Sequence, residues 1–286
     1  MIIGKDREAV IAQIRSFAEQ GEFHRKVELH DPDLTAEQRR QVTDRYMKRR
    51  KQLSFRLKTA MGVAFAKTAT RIIHRHTKII GLEKVPPNLK GVLITSNHFS
   101  PIENTVIRHL TNTLGRKTLG IISQTTNFAM TGPIGFLMNY GDTIPISDDP
   151  RYLAKDFLAV MKERLVEKKD AILLYPEQEM WFNYRKPRPP KNGAFFFSAK
   201  LNVPVLSCFV ELVELEKDDT PEFKKLRYVL HILGMLYPDP EKTVRENTHA
   251  LAQMDYEMKK ACYEQVYGQK LTYDFHAADI AGWKQI

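Results

Sequence analysis

The stretch SNHFSPIEN (96–104) brings a histidine and a carboxylate close together in the sequence. His98 and Glu103 lie five positions apart, with Ser100 and Pro101 between them. A carboxylate that holds one imidazole nitrogen fixes the tautomer and leaves the other nitrogen able to take a proton, as a general base must. The same residues also fit a helix start, with Ser100 as N-cap, Pro101 at the first helical position and Glu103 completing a capping box. Capping explains Ser100 and Glu103 but not His98.

A second segment, AILLYPEQEMW (171–181), has a similar layout. Like GVLITSNHFSPIE (91–103), it is an apolar strand pattern that runs directly into polar and titratable residues, here Tyr175 and Glu177. In open α/β sheets, ligands bind beyond the carboxyl ends of the strands. A histidine just before a helix N-terminus is also kept neutral by the helix dipole, as a general base near pH 7 requires. Both segments therefore mark a candidate site.

The elements that must position these residues alternate along residues 79–286. Short apolar runs such as KTLGIISQ (117–124) predict strands, and they are separated by helical patterns of about ten to twenty residues. The clearest helix is DPRYLAKDFLAVMKERLVEKKD (149–170), which carries a proline in its first turn. The pattern predicts an α/β domain with a mixed, largely parallel sheet flanked by helices.

Residues 1–78 form a helical, basic N-terminal segment of a different character. Asp44 is the only acid between Arg39 and Lys78, and Gly62 is the one residue there that could interrupt a helix. Apolar residues recur at helical spacing within it, namely Leu53, Leu57, Met61, Ala64, Phe65, Ile72 and Ile73. Two interpretations stay open: an amphipathic element, continuous or broken near Gly62, that lies on a membrane surface, or a helix packed on its own domain with a charged, solvated back.

Bulk composition limits the classes of function. The 286 residues carry a net charge of +10, which favours an anionic partner such as a membrane surface or a negatively charged substrate. Aromatic residues for base stacking are sparse in the basic segment, so nucleic acid is not the predicted partner. Cys208 and Cys262 lack metal-ligand or disulfide spacing, and no signal peptide or long apolar span stands out. These features predict a reducing, cytoplasmic setting.

Several motifs in a fixed order resemble the glycerolipid acyltransferase superfamily, of the 1-acylglycerol-3-phosphate acyltransferase type. The resemblance covers about residues 78–212. Its blocks are Asn97-His98 followed by Glu103, where the family usually has Asp, then GDTIPIS (141–147), YPEQEMW (175–181), Lys191-Asn192-Gly193 and Val203-Pro204-Val205.

The resemblance implies an O-acyltransferase. His98 would be the general base on an acceptor hydroxyl and Glu103 its orienting acid, with an acyl-CoA or an acyl carrier protein as donor and no metal or other cofactor. With the basic segment, it predicts an enzyme of lipid metabolism bound peripherally to the inner face of a membrane that contains anionic lipid. A non-catalytic relative that binds lipid or acyl carrier protein is the alternative, prompted by altered motif blocks.

The departures concern the arginines that the family uses to hold the acceptor phosphate. Ser147 stands at the end of the second block, and Gln178-Glu179-Met180 replaces Gly-Thr-Arg in the third. Arginine is suited to bidentate phosphate binding, so the acceptor is predicted to differ from lysophosphatidate and to be a lipid or sugar-like hydroxyl compound. A basic loop, YRKPRPPK (184–191), either rebuilds an anion site or is simply solvated. Nearby Trp181, Phe182 and Tyr184 either line a pocket or pack in the core. The candidate substrate-binding residues are Asn97, Ser100, Glu177, Arg185, Lys186, Arg188, Lys191 and Gly193.

Overall fold

The computed structural model describes residues 6–29, 32–116 and 118–284 and contains a sheet of seven strands. These strands are β1 (Lys78–Ile80), β2 (Val92–Thr95), β3 (Leu119–Gln124), β4 (Thr143–Ile146), β5 (Ala171–Leu174), β6 (Val205–Thr220) and β7 (Phe223–Leu236). They lie in the order β1-β7-β6-β2-β5-β3-β4. All neighbours pair in parallel except β6 and β7, which form a long antiparallel hairpin. The predicted mixed, largely parallel α/β sheet is confirmed.

Helices cover both faces of the sheet. They are α1 (Arg7–Glu19), α2 (Ala36–Arg49), α3 (Leu53–Ile73), α4 (Asn104–Thr113), α5 (Gly132–Tyr140), α6 (Leu158–Lys162), α7 (Gly193–Leu201) and α8 (Val244–Tyr267). Helix α6 is continued by π-helical turns on both sides, Tyr152–Phe157 and Glu163–Glu167. Within the part of the chain that the structure describes, no helix is long and apolar enough to span a bilayer.

The central strands alternate their side chains between two cores. Leu93 of β2 faces one core with Phe157 and Leu251, and Ile94 faces the other with Ile107 and Leu230. Because both faces are buried, the strands are apolar throughout, as expected for parallel strands covered by helices. The buried strands β2 and β5 hold the two motif-bearing loops side by side at one edge of the sheet.

Helix α1 lies near the start of the predicted helical segment 1–78, of which residues 1–5 and 30–31 lie outside the described residues. Its apolar face, with Ile11 and Ile14, packs against Trp181, Tyr184 and Ile280 in a third hydrophobic cluster. Both aromatic side chains are buried in that cluster. The sequence left open whether these aromatic residues line a pocket or pack in the core. The structure shows core packing for Trp181 and Tyr184.

Residues 35–78 of the basic segment contain two helices, but the break between them does not fall at Gly62. Helix α2 begins at an N-cap on Thr35 with a complete capping box to Gln38, and the chain turns at residues 50–52 before α3 starts. Gly62 lies inside α3, where its bare Cα faces the carbonyl oxygen of Tyr140 at the end of α5. Gly62 therefore does not break the helix; it allows α3 and α5 to pack closely.

We expect Gly62→Ala to destabilise the fold by up to about 2 kcal/mol. Alanine is the better helix former by about 1 kcal/mol, but its Cβ would overlap the Tyr140 carbonyl, and overpacking costs about 1–3 kcal/mol. Urea unfolding measures the change, with Ala60→Gly at an exposed position of α3 as the control for helix propensity alone. A Gly62→Ala protein that is more stable than the wild type would contradict this packing.

The apolar stripe of α3 faces outward. Helix α3 contacts its own domain through small or partly buried residues such as Phe55, Gly62 and Thr70. The stripe predicted from the sequence is largely exposed, as Leu53 is 69 %, Met61 66 % and Ile72 67 % accessible. Helix α3 thus packs on its own domain, but through residues other than this stripe, whose apolar side chains are exposed.

At the end of α3, His74 connects this helix to α4. Its side chain is buried, with Nδ1 2.9 Å from Thr77 Oγ1 and Nε2 2.5 Å from Thr105 Oγ1. The ring also stacks on His109. Both ring nitrogens of His74 are therefore held by threonine hydroxyl groups.

Acidification is expected to destabilise the protein through His74. Burial, with the neighbouring His109, lowers the pKa of His74 to about 4. Between about pH 4 and the unfolded value near 6.5, the unfolded chain binds more protons, so stability falls as the pH decreases. From about pH 7.5 to about pH 5 the loss is about 2 kcal/mol for this group. Urea midpoints across that range should fall less steeply in His74→Asn; equal slopes in the two proteins would rule out this role of His74.

Candidate active site

The imidazole of His98 is hydrogen-bonded to Glu103 beyond the end of β2. Nδ1 lies 2.6 Å from Glu103 Oε1, and the other carboxylate oxygen accepts the backbone N–H of Ser100. The Glu103 side chain is buried, whereas that of His98 is 20 % exposed. Because the carboxylate accepts from Nδ1–H, the proton-free nitrogen of a neutral ring is Nε2. Among the described residues nothing hydrogen-bonds to Nε2, which leaves it available to a ligand.

The predicted capping box is only half formed. Helix α4 begins at Asn104, later than predicted, after a turn over residues 101–103. Glu103 accepts from the Ser100 backbone as the motif requires, but the Ser100 hydroxyl accepts from Ile102 N–H at 3.4 Å and not from Glu103 N–H. The turn allows the Glu103 side chain to reach the imidazole and the Ser100 amide together. One carboxylate thus serves both the turn and the histidine.

Tyr175, at the end of β5, forms the surface on which the His98 ring lies. The two rings are stacked with centroids 4.1 Å apart and planes inclined by 6°. Burial raises the pKa of the Tyr175 phenol well above its ordinary value, and the nearby Glu103 carboxylate raises it further. The phenol is therefore neutral and restricts the imidazole to one plane. The sequence analysis placed Tyr175 at the strand end but did not identify it as a partner of His98.

Glu177 and Arg188 lie behind the backbone of His98. Arg188 Nη2 is 2.9 Å and Nε 3.2 Å from Glu177 Oε2, and both side chains are buried. The same carboxylate oxygen accepts the backbone N–H of His98 at 3.2 Å. The charges of Glu177 and Arg188 are paired with each other inside the protein, and their predicted contact with substrate stays a prediction.

Comparison with known proteins decides the family. A family model described as Acyltransferase matches residues 76–211, a range that contains His98, Glu103, Tyr175, Glu177 and Arg188. Residues 76–211 therefore form a domain that matches the Acyltransferase family. No curated protein matched it. Among solved structures it is similar to the crystal structure of the 1-acyl-sn-glycerophosphate (LPA) acyltransferase, PlsC, from Thermotoga maritima. The TM-score is 0.50 at 16 % identity, over 93 % of this chain and 96 % of the other, which supports a shared fold.

Other predicted substrate-binding residues of this acyltransferase take part in internal contacts. Asn97 accepts from Val210 N–H at 2.8 Å and donates to Val210 O at 3.0 Å, which ties β2 to β6 beyond their ladder. Lys186 pairs with Asp279 at 2.7 Å, and Arg185 pairs with Glu214 at 2.5 Å. Lys186 is buried, and its predicted contact with substrate, like those of Asn97 and Arg185, stays a prediction.

Lys191 and Gly193 keep an exposed position beside the site. The backbone N–H of Lys191 donates to Pro176 O at 2.8 Å, which places it next to the β5 loop. Gly193 is the first residue of α7, and a Cβ there would meet open space. Lys191 and Gly193 therefore stay candidates for substrate contact in this acyltransferase. Ser100, whose backbone N–H donates to the Glu103 carboxylate, is also still a candidate.

Neutral residues, Ser147 and Met180, stand where the family motifs have arginines, and the acidic Glu179 is the neighbour of Met180. Glu179 accepts from the Gln124 side chain at 2.7 Å, linking the β5 loop to the end of β3. Ser147, after β4, accepts from Asp149 N–H at 3.3 Å and lies beside Asp148. Ser147 and Met180 were identified from the sequence as standing where the family motifs have arginines. The contact between Glu179 and Gln124 was not predicted, because only the pairing of β3 with β5 brings these two residues together.

Proposed function

We propose that this acyltransferase moves a fatty acyl group from a thioester donor, either acyl-CoA or acyl carrier protein, to a hydroxyl of a lipid or sugar-like acceptor. The observation that carries the proposal is the 2.6 Å contact between His98 Nδ1 and the buried Glu103 carboxylate, within a domain of acyltransferase type. No cofactor beyond the acyl donor enters the proposal.

In this mechanism Nε2 of His98 takes the proton of the acceptor hydroxyl while the oxygen attacks the thioester carbonyl carbon. The imidazolium formed is stabilised by the Glu103 carboxylate, which also holds the ring orientation. When the carbon–sulfur bond breaks, the proton passes from Nε2 to the departing thiolate. The ester and the free thiol leave, and His98 returns to its neutral form.

The acceptor is proposed to differ from lysophosphatidate. Phosphomonoesters are best held by arginine forks, whereas Ser147 and Met180 occupy the corresponding positions, and Glu179, paired with Gln124, lies next to Met180. A carboxylate there repels a phosphate dianion and accepts hydrogen bonds from hydroxyl groups. A hydroxyl-rich or uncharged head group fits this lining better.

The enzyme is further proposed to bind the inner face of a membrane peripherally through α3. The outward stripe includes Leu57 and Phe65, and Arg56 and Arg71 are exposed on the same helix. An apolar stripe flanked by basic side chains is typical of helices that lie in the interface of an anionic bilayer. Helix α3 adjoins α4 through His74 and Thr105, so the bilayer would lie beside the start of α4, where Glu103 is held.

The test is incubation of the protein with acyl-CoA or acyl carrier protein thioesters and a membrane lipid extract. We expect release of free thiol together with a new acylated lipid identified by mass spectrometry, and little product with lysophosphatidate alone. Thiol release without an acylated lipid would show hydrolysis. Lipid or carrier-protein binding without thiol release would favour the non-catalytic alternative. If lysophosphatidate is the preferred acceptor, the acceptor assignment is wrong, but the proposed reaction class still holds.

A further inference from the structure

The backbone of His98 is held on both sides of its side chain. Its N–H donates to Glu177 Oε2 at 3.2 Å. Its carbonyl oxygen accepts from Trp181 N–H at 3.1 Å and lies 3.4 Å from Arg188 Nη2. These contacts are additional to those of the ring with Glu103 and Tyr175. A loop residue fixed at its amide, its carbonyl and its side chain has little freedom to move.

Glu177 and Arg188 form one unit in this arrangement. Besides the ion pair, Glu177 Oε1 accepts the backbone N–H of Arg188 at 3.1 Å, so both carboxylate oxygens are engaged. A buried ion pair repays its desolvation only when its geometry is good and further hydrogen bonds satisfy the remaining polar atoms. This pair meets that condition, and one of those hydrogen bonds belongs to His98.

The hydrogen bonds of Arg188 connect three separate segments of the chain. Nη1 donates to Phe23 O at 2.8 Å, and Nη2 donates to the backbone oxygen of Glu179 as well as to the Glu177 carboxylate. The guanidinium lies over the Trp181 ring, 4.7 Å from its centroid. A lysine ammonium cannot reproduce this planar fork, so the geometry requires arginine at this position.

We propose that the Glu177–Arg188 pair is a positioning unit that fixes the His98 backbone so that Nε2 faces the reacting hydroxyl. The proposal rests on the proposed function, in which His98 is the general base. It also gives a role to Arg188, a residue of the basic loop that is not part of the family motifs. A displacement of about 1 Å in such a group lowers a rate by as much as roughly 10²-fold.

Two variants test the pair. Arg188→Lys keeps the charge and removes the fork. The double variant Glu177→Met with Arg188→Met removes both charges, because replacing a whole buried pair by apolar residues often preserves the fold. The matched control is the Asp255–Lys259 ion pair on α8, whose contact distance is 2.7 Å. The side chains of Asp255 and Lys259 are 1 % and 4 % exposed, and those of Glu177 and Arg188 are 4 % and 1 % exposed, so the two pairs are equally buried. Its variants are Lys259→Arg and the double change to methionine.

The readouts are kcat, KM, thermal melting and the His98 tautomer, observed by nitrogen NMR in histidine-labelled protein and assigned by its absence in His98→Ala. We expect Arg188→Lys and the double methionine variant to lower kcat by about 10- to 10²-fold with KM within about threefold. Their His98 ring should lose its single Nδ1–H tautomer. The Asp255–Lys259 variants should melt at lower temperature but keep kcat and the tautomer.

The proposal is overturned if the Glu177 and Arg188 variants fold with wild-type kcat and a single His98 tautomer. It is also rejected, in favour of a purely structural pair, if neither variant folds while both control variants do. If the wild type transfers no acyl group with any donor, the proposed function fails. The tautomer comparison, which needs no substrate, then still decides whether the pair positions His98.

Discussion

Replacing His98 by alanine is expected to lower kcat for acyl transfer by about 10²- to 10⁴-fold, because the attacking hydroxyl loses its proton acceptor. KM should change little, since the ring acts on the reacting oxygen and not on the rest of the substrate. Glu103→Gln should lower kcat by a smaller factor, about 10- to 10²-fold, because the amide still accepts from Nδ1–H but no longer stabilises the imidazolium.

A matched control exists in the same chain. His231 Nε2 lies 2.7 Å from Glu211 Oε2 on the β6–β7 hairpin, with side-chain exposures of 13 % and 20 %. This pair has the chemistry of a His–Glu dyad away from the motif-bearing loops. We expect His231→Ala to leave kcat within about threefold of the wild type. Equal activity of the His98→Ala and wild-type proteins would remove His98 from the mechanism.

Changing Leu57, Met61 and Phe65 together to glutamate is expected to weaken binding to anionic vesicles by about 10²-fold or more. Full burial of such a side chain contributes about 1.5–3 kcal/mol, so even partial insertion of three gives about 3 kcal/mol, and each new carboxylate is repelled by anionic lipid. Stability should change little, because these side chains are exposed in the folded protein. Flotation or tryptophan fluorescence titration with vesicles measures the effect.

The control for that experiment is a second set of exposed apolar residues. Phe196, Tyr237 and Met254 are 41 %, 58 % and 41 % accessible, and they lie on α7, after β7 and on α8. Changing all three to glutamate alters net charge equally but leaves α3 intact, so vesicle binding should stay within a few-fold. Equal loss in the two triple variants would show a non-specific charge effect, and no loss in either would exclude docking through α3.

The sequence predicted the order of strands and helices because each element carries its own periodicity and caps. Thr243 as N-cap and Gly268 as a left-handed terminus of α8 are examples. His98 and Glu103 could also be predicted as a pair, since they are close in sequence and lie at a strand end. The position of α4 was less certain, because Glu103 could satisfy a cap or an imidazole and in fact bonds to both.

What the sequence could not predict depends on contacts between distant residues. Periodicity grouped Leu57 and Met61 on one face of α3 but could not tell whether protein or another surface covers that face. Arg188 appeared to be a solvated loop residue or a ligand for anions, because nothing local indicates that the loop folds back on Glu177. The stacking of Tyr175 on His98 likewise follows from the pairing of β2 with β5.

The third hydrophobic cluster has a consequence for how the protein is made. It joins Val10 and Ile14 of α1 to Ile280 near the other end of the described chain. During synthesis the apolar face of α1 therefore cannot be fully covered until every strand of the sheet has been translated. Such long-range closure is slow and exposes aggregation-prone surface. Since Trp181 belongs to this cluster and its backbone N–H donates to the His98 carbonyl, we expect the loop that carries His98 to reach its final structure late in folding, after the sheet has formed.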